Sequence, residues 1–126
     1  MSVESQAFGE LGERIAARWL ASRGWQVLAR RFRSGHRDID LIAERSGTVA
    51  FVEVKARRGR WYGDPVEAVH WRKRRELVRS ASVWVDRHGS TLGATIYRFD
   101  VIGVLLEGER VRVRHVENAF DLPWKS

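Results

Sequence analysis

The sequence contains no cysteine, only three lysines and two prolines, and no long apolar run. Without cysteine there can be no disulfide, no thiolate ligand for zinc and no cysteine nucleophile. The longest apolar stretches are far shorter than the roughly 20 residues that a membrane helix needs. No basic segment leads into an apolar run near the N-terminus, as a secretory signal would require. These absences predict a protein without a membrane segment, in the reducing cytoplasm.

Positive charge is abundant, and it is carried almost entirely by arginine. The chain has 23 Lys and Arg against 16 Asp and Glu, a formal net charge of +7, and 20 of the cations are Arg. Guanidinium groups pair bidentately with phosphate and stack on bases. The composition therefore favours a nucleic acid partner, with DNA preferred. The alternative is codon bias, because a GC-rich genome enriches Arg and depletes Lys without any selection for binding.

The length of 126 residues and the 44% of apolar residues fit one domain over 1–126. Apolar positions at three- and four-residue steps predict helices, and alternating apolar residues predict strands. The predicted order α-β-β-β-α-β-β favours one sheet with helices packed on it, an α/β fold. The predicted elements are helix Ser5–Arg23, strands Trp25–Phe32, Asp38–Glu44 and Thr48–Ala56, helix Pro65 to about Arg87, strands Ala94–Leu106 and Arg110–Val116, and an irregular tail over about 118–126.

The second helix carries three start signals. Asp64 is a favourable N-cap, Pro65 suits the first helical position, and Glu67 can return a hydrogen bond to the cap. The segment His88–Ser90, with its central glycine, predicts the end of this helix. The segment Arg57–Asp64 before it contains glycines and is expected to be a loop.

The residues with the clearest chemical meaning are Asp40, Glu53 and Lys55. The strands that carry them are joined by a tight turn, so they should be neighbours and bring the two carboxylates together. Glu53 and Lys55 are two residues apart and share one face of the most apolar strand. Burying charged groups costs on the order of several kcal/mol unless they are paired or bind a metal. Two carboxylates can hold Mg²⁺ (or Mn²⁺), and Lys55 could orient an attacking water.

A structural interpretation of the same pattern is an ion pair between Glu53 and Lys55 on the solvent face of an antiparallel sheet. The motifs around it favour the functional interpretation, because together they resemble the YraN-like family of uncharacterised bacterial proteins. The resemblance runs from about Gly9 to Phe120. The matching segments are Gly9-Glu10-x-x-Glu13-x-x-Ala16-x-x-x-Leu20-x-x-x-Gly24, Asp38-Ile39-Asp40-Leu41-Ile42, Phe51-Val52-Glu53-Val54-Lys55-x-Arg57, Tyr62-Gly63-Asp64-Pro65 and Lys73.

The resemblance implies a restriction-endonuclease-like core of the PD-(D/E)XK superfamily, with a mixed five-stranded sheet flanked by helices and a metal site at one end. The same segments are similar to archaeal Holliday-junction resolvases. Asp40, Glu53 and Lys55 match the superfamily's catalytic residues, and Glu13 matches a first-helix Glu that joins the metal ligands. Glu10 is the less favoured alternative to Glu13. The chain departs from the family at Asp38, where Glu is usual.

Cations and aromatics close to Lys55 are the predicted substrate contacts. Phosphate and base contacts are expected at Arg57, Arg58, Arg60, Tyr62 and Lys73. The alternative is that these side chains are only solvated, in a loop and on the solvent-exposed face of a helix.

Two functions are therefore expected from the sequence. The first is a metal-dependent nuclease acting on structured or branched nucleic acid, with Glu13, Asp40 and Glu53 as the acidic cluster and Lys55 as the catalytic cation. The second is a non-catalytic nucleic-acid-binding or protein-interaction module that keeps the nuclease scaffold. A homodimer is left open.

Overall fold

Two helices and five strands make up the part of the chain described by the computed structural model, which covers residues 3–35, 37–59, 65, 69, 71–94 and 96–120. Their order is the predicted one, α-β-β-β-α-β-β. Neither helix is long and apolar enough to cross a membrane, so the described residues include no membrane-spanning helix. The elements are α1 (Val3–Ser22), β1 (Gln26–Ser34), β2 (Arg37–Arg45), β3 (Thr48–Arg58), α2 (Trp71–Leu92), β4 (Ile96–Glu107) and β5 (Arg110–Phe120).

The five strands form one sheet in the order β1-β2-β3-β4-β5. The first three make an antiparallel meander, and β5 returns antiparallel along β4. β3 and β4 are parallel, so the chain must cross over between them, and α2 lies within that crossover. The predicted α/β fold with a mixed five-stranded sheet is confirmed.

Each face of the sheet is covered by one helix. α1 packs Ala16 and Leu20 against one face, and α2 packs Leu77 and Trp84 against the other. Because successive side chains of a strand point to opposite faces, β3 contributes to both cores. Phe51 is fully buried on the α2 side, with its ring centroid 5.3 Å from that of Phe99 and 5.8 Å from that of Trp84. Burial of each such side chain contributes about 1.5–3 kcal/mol.

The predicted limits of α2 are wrong. The helix begins at Trp71 instead of Pro65, which lies in a 3₁₀ turn, and Asp64 and Glu67 lie outside the described residues. The helix also continues through Gly89, where a Cβ would lie 3.0 Å from the Tyr97 hydroxyl, so there is little room for a larger residue. It ends at Leu92, where Gly93 has a φ of +63° and stops the helix.

β5 ends four residues later than predicted, and the ends of the other strands and of α1 agree within two residues. β3 continues to Arg58 because β4 pairs with it to the end, so Arg57 and Arg58 belong to a strand and not to the predicted loop. β5 continues to Phe120. Asn118 takes a positive φ of 51°, and the Phe120 ring then stacks on Phe99 with centroids 4.6 Å apart.

A close approach between α1 and β3 fixes how the helix crosses the sheet. A Cβ placed at Gly12 would lie 2.8 Å from the Cβ of Ala56, closer than two side chains can come. Glycine costs a helix interior about 1 kcal/mol relative to alanine. The close contact with β3 therefore requires Gly12 despite this cost.

The matched variants Gly12→Ala and Gly9→Ala are expected to change stability in opposite directions. Gly12→Ala should lower the free energy of unfolding by about 1–3 kcal/mol, because α1 must move away from Ala56. Gly9→Ala should raise it by up to about 1 kcal/mol, because no described atom outside the helix lies within 4 Å of a Cβ at Gly9. Urea unfolding measures both. A stabilised Gly12→Ala variant would contradict the close approach.

Candidate functional site

The site forms where the ladder between β2 and β3 ends. The last paired residues are Leu41 and Val52, and beyond them the two strands are no longer paired. At this point the side chain of Asp40 replaces the missing backbone acceptor, because its Oδ2 accepts a 2.8 Å hydrogen bond from the backbone N–H of Val54. Asp40 is thereby held beside Glu53, as predicted from the turn between the strands.

Glu53 is the buried centre of the site, with a side chain only 4% exposed. Its Oε1 lies 3.4 Å from the Nζ of Lys55 and forms a short ion pair with the Nζ of Lys73 from α2. Its other oxygen, Oε2, is buried and has no hydrogen-bond partner among the described residues. A buried carboxylate oxygen without a donor is costly, by about 1–3 kcal/mol or more for a charged group. This oxygen is therefore a candidate ligand-binding atom.

The charged groups of the site shift one another's pKa values. Burial, followed by the negative charge of Glu53, raises the pKa of Asp40 to about 8, although the Val54 N–H opposes the shift. Burial and the neighbouring Lys73 ammonium lower the pKa of Lys55. Burial also acts against the charge of Lys73, but the attraction of Glu53 outweighs it and raises the pKa of Lys73. Strong mutual perturbation of this kind is typical of functional sites.

Glu13 lies at the edge of the site. Its Oε1 accepts a hydrogen bond of 2.9 Å from Arg31 Nε, and Glu10 lies 3.3 Å from another nitrogen of the same guanidinium. Glu13 is 21% exposed and its charge helps to raise the pKa of Asp40, whereas Glu10 is 48% exposed. Glu13 therefore has a stronger electrostatic influence on Asp40 than Glu10 has. Its role as a metal ligand stays a prediction.

Asp38 belongs to the rim. Its Oδ1 lies 3.8 Å from Arg33 Nε, and its side chain is 40% exposed. Asp38, Asp40 and Glu13 all line one open groove with Arg31 and Arg33.

Asp40 and Glu53 are the described residues that could hold a divalent metal ion. Mg²⁺ is commonly bound through one or two carboxylates while water and phosphate oxygens complete its shell. A bound cation would pair with the unpartnered Glu53 Oε2, and it would lower the raised pKa of Asp40. No group of three or more His, Asp and Glu side chains within the described ranges is placed to hold a metal. The donor set thus fits Mg²⁺ or Mn²⁺ as a two-carboxylate site.

The predicted substrate residues fall into three groups. Arg57 and Arg58 lie at the outer end of β3, next to Lys55. Lys73 lies in the site itself, on Glu53. Arg60 and Tyr62 lie outside the described residues.

The sequence analysis missed the contact of Lys73 with Glu53, because it assigned Lys73 to the substrate contacts, with the solvent-exposed face of the second helix as the alternative. A signal for it exists. Lys73 precedes the buried residues Leu77, Ala81 and Trp84 at three- and four-residue steps, so it continues the apolar stripe that faces the sheet. A lysine in line with such a stripe predicts a buried anionic partner.

A second buried carboxylate, Asp100, is fully paired within the fold. Its Oδ1 lies 3.0 Å from Arg98 Nε and accepts a 3.0 Å hydrogen bond from the Asn118 N–H. Its Oδ2 lies 2.7 Å from His115 Nε2. These contacts explain Asp100 as a structural residue that ties β5 to β4.

Comparison with known sequences gives the family. The profile of the uncharacterised protein family UPF0102 matches residues 12–104. A UPF0102 protein of Trichlorobacter lovleyi is 43% identical over 122 residues, which cover 95% of this chain and 94% of that protein. UPF0102 protein STH1475 of Symbiobacterium thermophilum is 48% identical over 119 residues, covering 92% and 98%. The chain therefore belongs to the UPF0102 (YraN-like) family, which confirms the resemblance.

Proposed function

We propose that this protein is a metal-dependent nuclease that hydrolyses phosphodiester bonds in structured or branched nucleic acid. The observation that carries the proposal is the buried Glu53 carboxylate, with one oxygen unpartnered and the other bound by two lysines, beside Asp40. The restriction-endonuclease-like order of strands and the positions of Asp40, Glu53 and Lys55 at one end of the sheet support it.

Asp40 and Glu53 would hold the Mg²⁺ or Mn²⁺ ion, with Glu13 as a further ligand. The bound ion supplies Lewis acidity toward a phosphate oxygen. Lys55 presents its ammonium next to these carboxylates, where it can orient the attacking water and stabilise the negative charge that develops on the phosphate. Because its pKa is lowered, a larger fraction of Lys55 is neutral at a given pH than of an ordinary lysine, and this neutral fraction can accept a proton.

Lys73 has a positioning role in this proposal. Its ammonium is bound to Glu53 Oε1, so it fixes the carboxylate and leaves Oε2 for a ligand. It also joins α2 to β3 across the site. This differs from the phosphate contact expected from the sequence, because the Lys73 ammonium is engaged inside the protein.

The net charge of +7 supports a polyanionic substrate, with DNA preferred. Arg57 and Arg58 continue along β3 from Lys55 and would bind phosphates that flank the scissile bond.

One observation favours the second candidate, a non-catalytic module that binds nucleic acid. Two lysines and two carboxylates balance their formal charge without any metal. In this case the cluster would serve only to hold α2 on the sheet, and the arginines alone would bind the nucleic acid.

Cleavage assays on linear duplex, single-stranded, flapped and four-way DNA separate these functions. With Mg²⁺ or Mn²⁺, the wild-type protein is expected to cut the flapped or four-way substrates, and EDTA should stop the reaction. Nucleic acid binding, measured in EDTA, should weaken steeply with salt, because counterions are released from the phosphates. Tight, salt-sensitive binding without cleavage of any of the four substrates would favour the binding module.

A further inference from the structure

An open groove of about 710 Å³ lies beside Lys55, between the N-terminal half of α1 and the outer end of β3. Its volume is in the range of small-molecule sites, roughly 300–1,000 Å³. It is accessible because β2 pairs with β3 only as far as Val52, which leaves the edge of β3 beyond that residue without a β2 partner. The described residues that line it are Ser5, Phe8, Gly9, Val54, Lys55, Ala56, Arg57 and Arg58.

The groove combines positive charge with an apolar wall. Lys55, Arg57 and Arg58 supply three cations, and none of the described lining residues is acidic. Phe8 supplies an aromatic ring, and the guanidinium carbon of Arg58 lies 4.4 Å from the centroid of that ring. A ligand that suits both features has an anionic group and a flat apolar group. A nucleotide has both.

Gly9 gives α1 a bare stretch of backbone on this groove. Gly12, one turn later, is required by the contact with Ala56, but no described residue outside the helix approaches Gly9. A mid-helix glycine without such a contact costs about 1 kcal/mol relative to alanine, with no gain in packing. Gly9 faces this groove and also the groove that contains Asp40. A ligand lying against the bare backbone at Gly9 would reach from the cations to the carboxylates.

We propose that this groove binds one unpaired nucleotide of the substrate, with its phosphate on Arg57 and Arg58 and its base against Phe8 and the surface of α1 at Gly9. The inference rests on the proposed function, because it assumes that nucleic acid reaches Lys55, and it names the substrate class more narrowly. Bases in an intact duplex are stacked and cannot enter a side groove. The preferred substrate therefore has an unpaired nucleotide next to the scissile phosphate, as a flap or a branch point provides.

The test uses a variant that fills the groove and leaves the proposed catalytic residues unchanged. Gly9→Leu places an aliphatic side chain in the groove, and Ala7→Leu, at an exposed residue of α1 that does not line the groove, is the matched control. Binding of a labelled oligo-dT strand and of a blunt duplex of equal length is measured by fluorescence anisotropy in EDTA, where cleavage does not interfere. Gly9→Leu is expected to weaken single-strand binding by about tenfold, the usual effect of losing one base contact, and to leave duplex binding within about twofold. Ala7→Leu should bind both DNAs within about twofold of wild type.

A second variant covers the case in which Gly9→Leu does not fold, as judged by thermal melting. Phe8→Leu keeps an apolar side chain and removes the aromatic ring, and it should weaken single-strand binding by about threefold or more without affecting the duplex. Wild-type affinity for the single strand in folded Gly9→Leu would overturn the inference. Equal losses on both DNAs would also overturn it, because the groove would then be a general phosphate contact.

These results are distinguishable from failure of the proposed function. A selective loss of single-strand binding together with no cleavage by the wild type would keep the nucleotide site and reject the nuclease. Cleavage by the wild type together with unchanged single-strand binding in Gly9→Leu would keep the nuclease and reject the nucleotide site.

Discussion

Glu53→Gln is expected to lower the rate of metal-dependent cleavage by at least about a hundredfold while leaving DNA binding in EDTA nearly unchanged. Glutamine has almost the same shape as glutamate but lacks the charge that would hold a metal ion. Under the proposed function, affinity would come from the arginines along β3 and the overall positive charge, which this variant does not remove. Single-turnover cleavage and anisotropy, measured on the same flapped DNA, separate the two effects.

Glu117→Gln is the matched control for this experiment. It makes the same change of charge at a half-exposed residue, 54% accessible, whose partner Arg98 keeps its ion pair with Asp100. Cleavage by Glu117→Gln should stay near the wild-type rate. If Glu53→Gln cut DNA as fast as this control, Glu53 would not be a catalytic residue, and the buried cluster would be structural.

The sequence predicted the centre of this site because strand geometry is local. Alternation within β3 placed Glu53 and Lys55 on one face, and the short turn before it placed Asp40 on the adjacent strand. The contact of Lys73 with Glu53 could not be derived in the same way, since it depends on how α2 is positioned after an eleven-residue span of mostly undescribed chain, 60–70. The stripe of buried residues that Lys73 continues shows which face of α2 it occupies, but not which residue of the sheet lies opposite.

The errors in the element limits have a similar cause. Asp64, Pro65 and Glu67 satisfy the local rules for a helix start, yet α2 begins at Trp71. Gly89 satisfies the local rule for a helix end, yet the helix continues past it. Local preferences of this kind are worth only about 1 kcal/mol, so they do not by themselves fix where a helix begins or ends.

Asp40→Asn is expected to stabilise the metal-free protein at neutral pH and to lose this advantage in acid. The pKa of Asp40 is raised from 3.8 to about 8 in the folded state, mainly by burial and then by the charge of Glu53. Between these two pH values the folded state holds a proton that the unfolded state has released. Wild-type stability therefore falls as the pH rises through this window, by at most about 1.4 kcal/mol per pH unit. Asparagine is neutral throughout and can still accept the hydrogen bond from Val54.

The measurement is the difference in free energy of unfolding between Asp40→Asn and wild type, from urea titrations in EDTA between about pH 4 and pH 8. Taking the difference cancels the titration of distant groups that both proteins share. The advantage of the variant should be small at about pH 4 and largest at about pH 8. Parallel stability profiles for the two proteins would show that Asp40 titrates normally and is not part of a buried acidic pair.

Saturating Mg²⁺ should reverse the order of stability near pH 7.5. A cation bound by Asp40 and Glu53 favours the ionised carboxylates, so it stabilises the wild type by mass action and releases the proton from Asp40. Asp40→Asn lacks one of the two charges and should gain much less. The released proton can be counted by calorimetric titration of the wild type with Mg²⁺ in buffers of different ionisation enthalpy. If Mg²⁺ raised the stability of both proteins equally, with no proton released, the ion would bind elsewhere and the two-carboxylate site would be wrong.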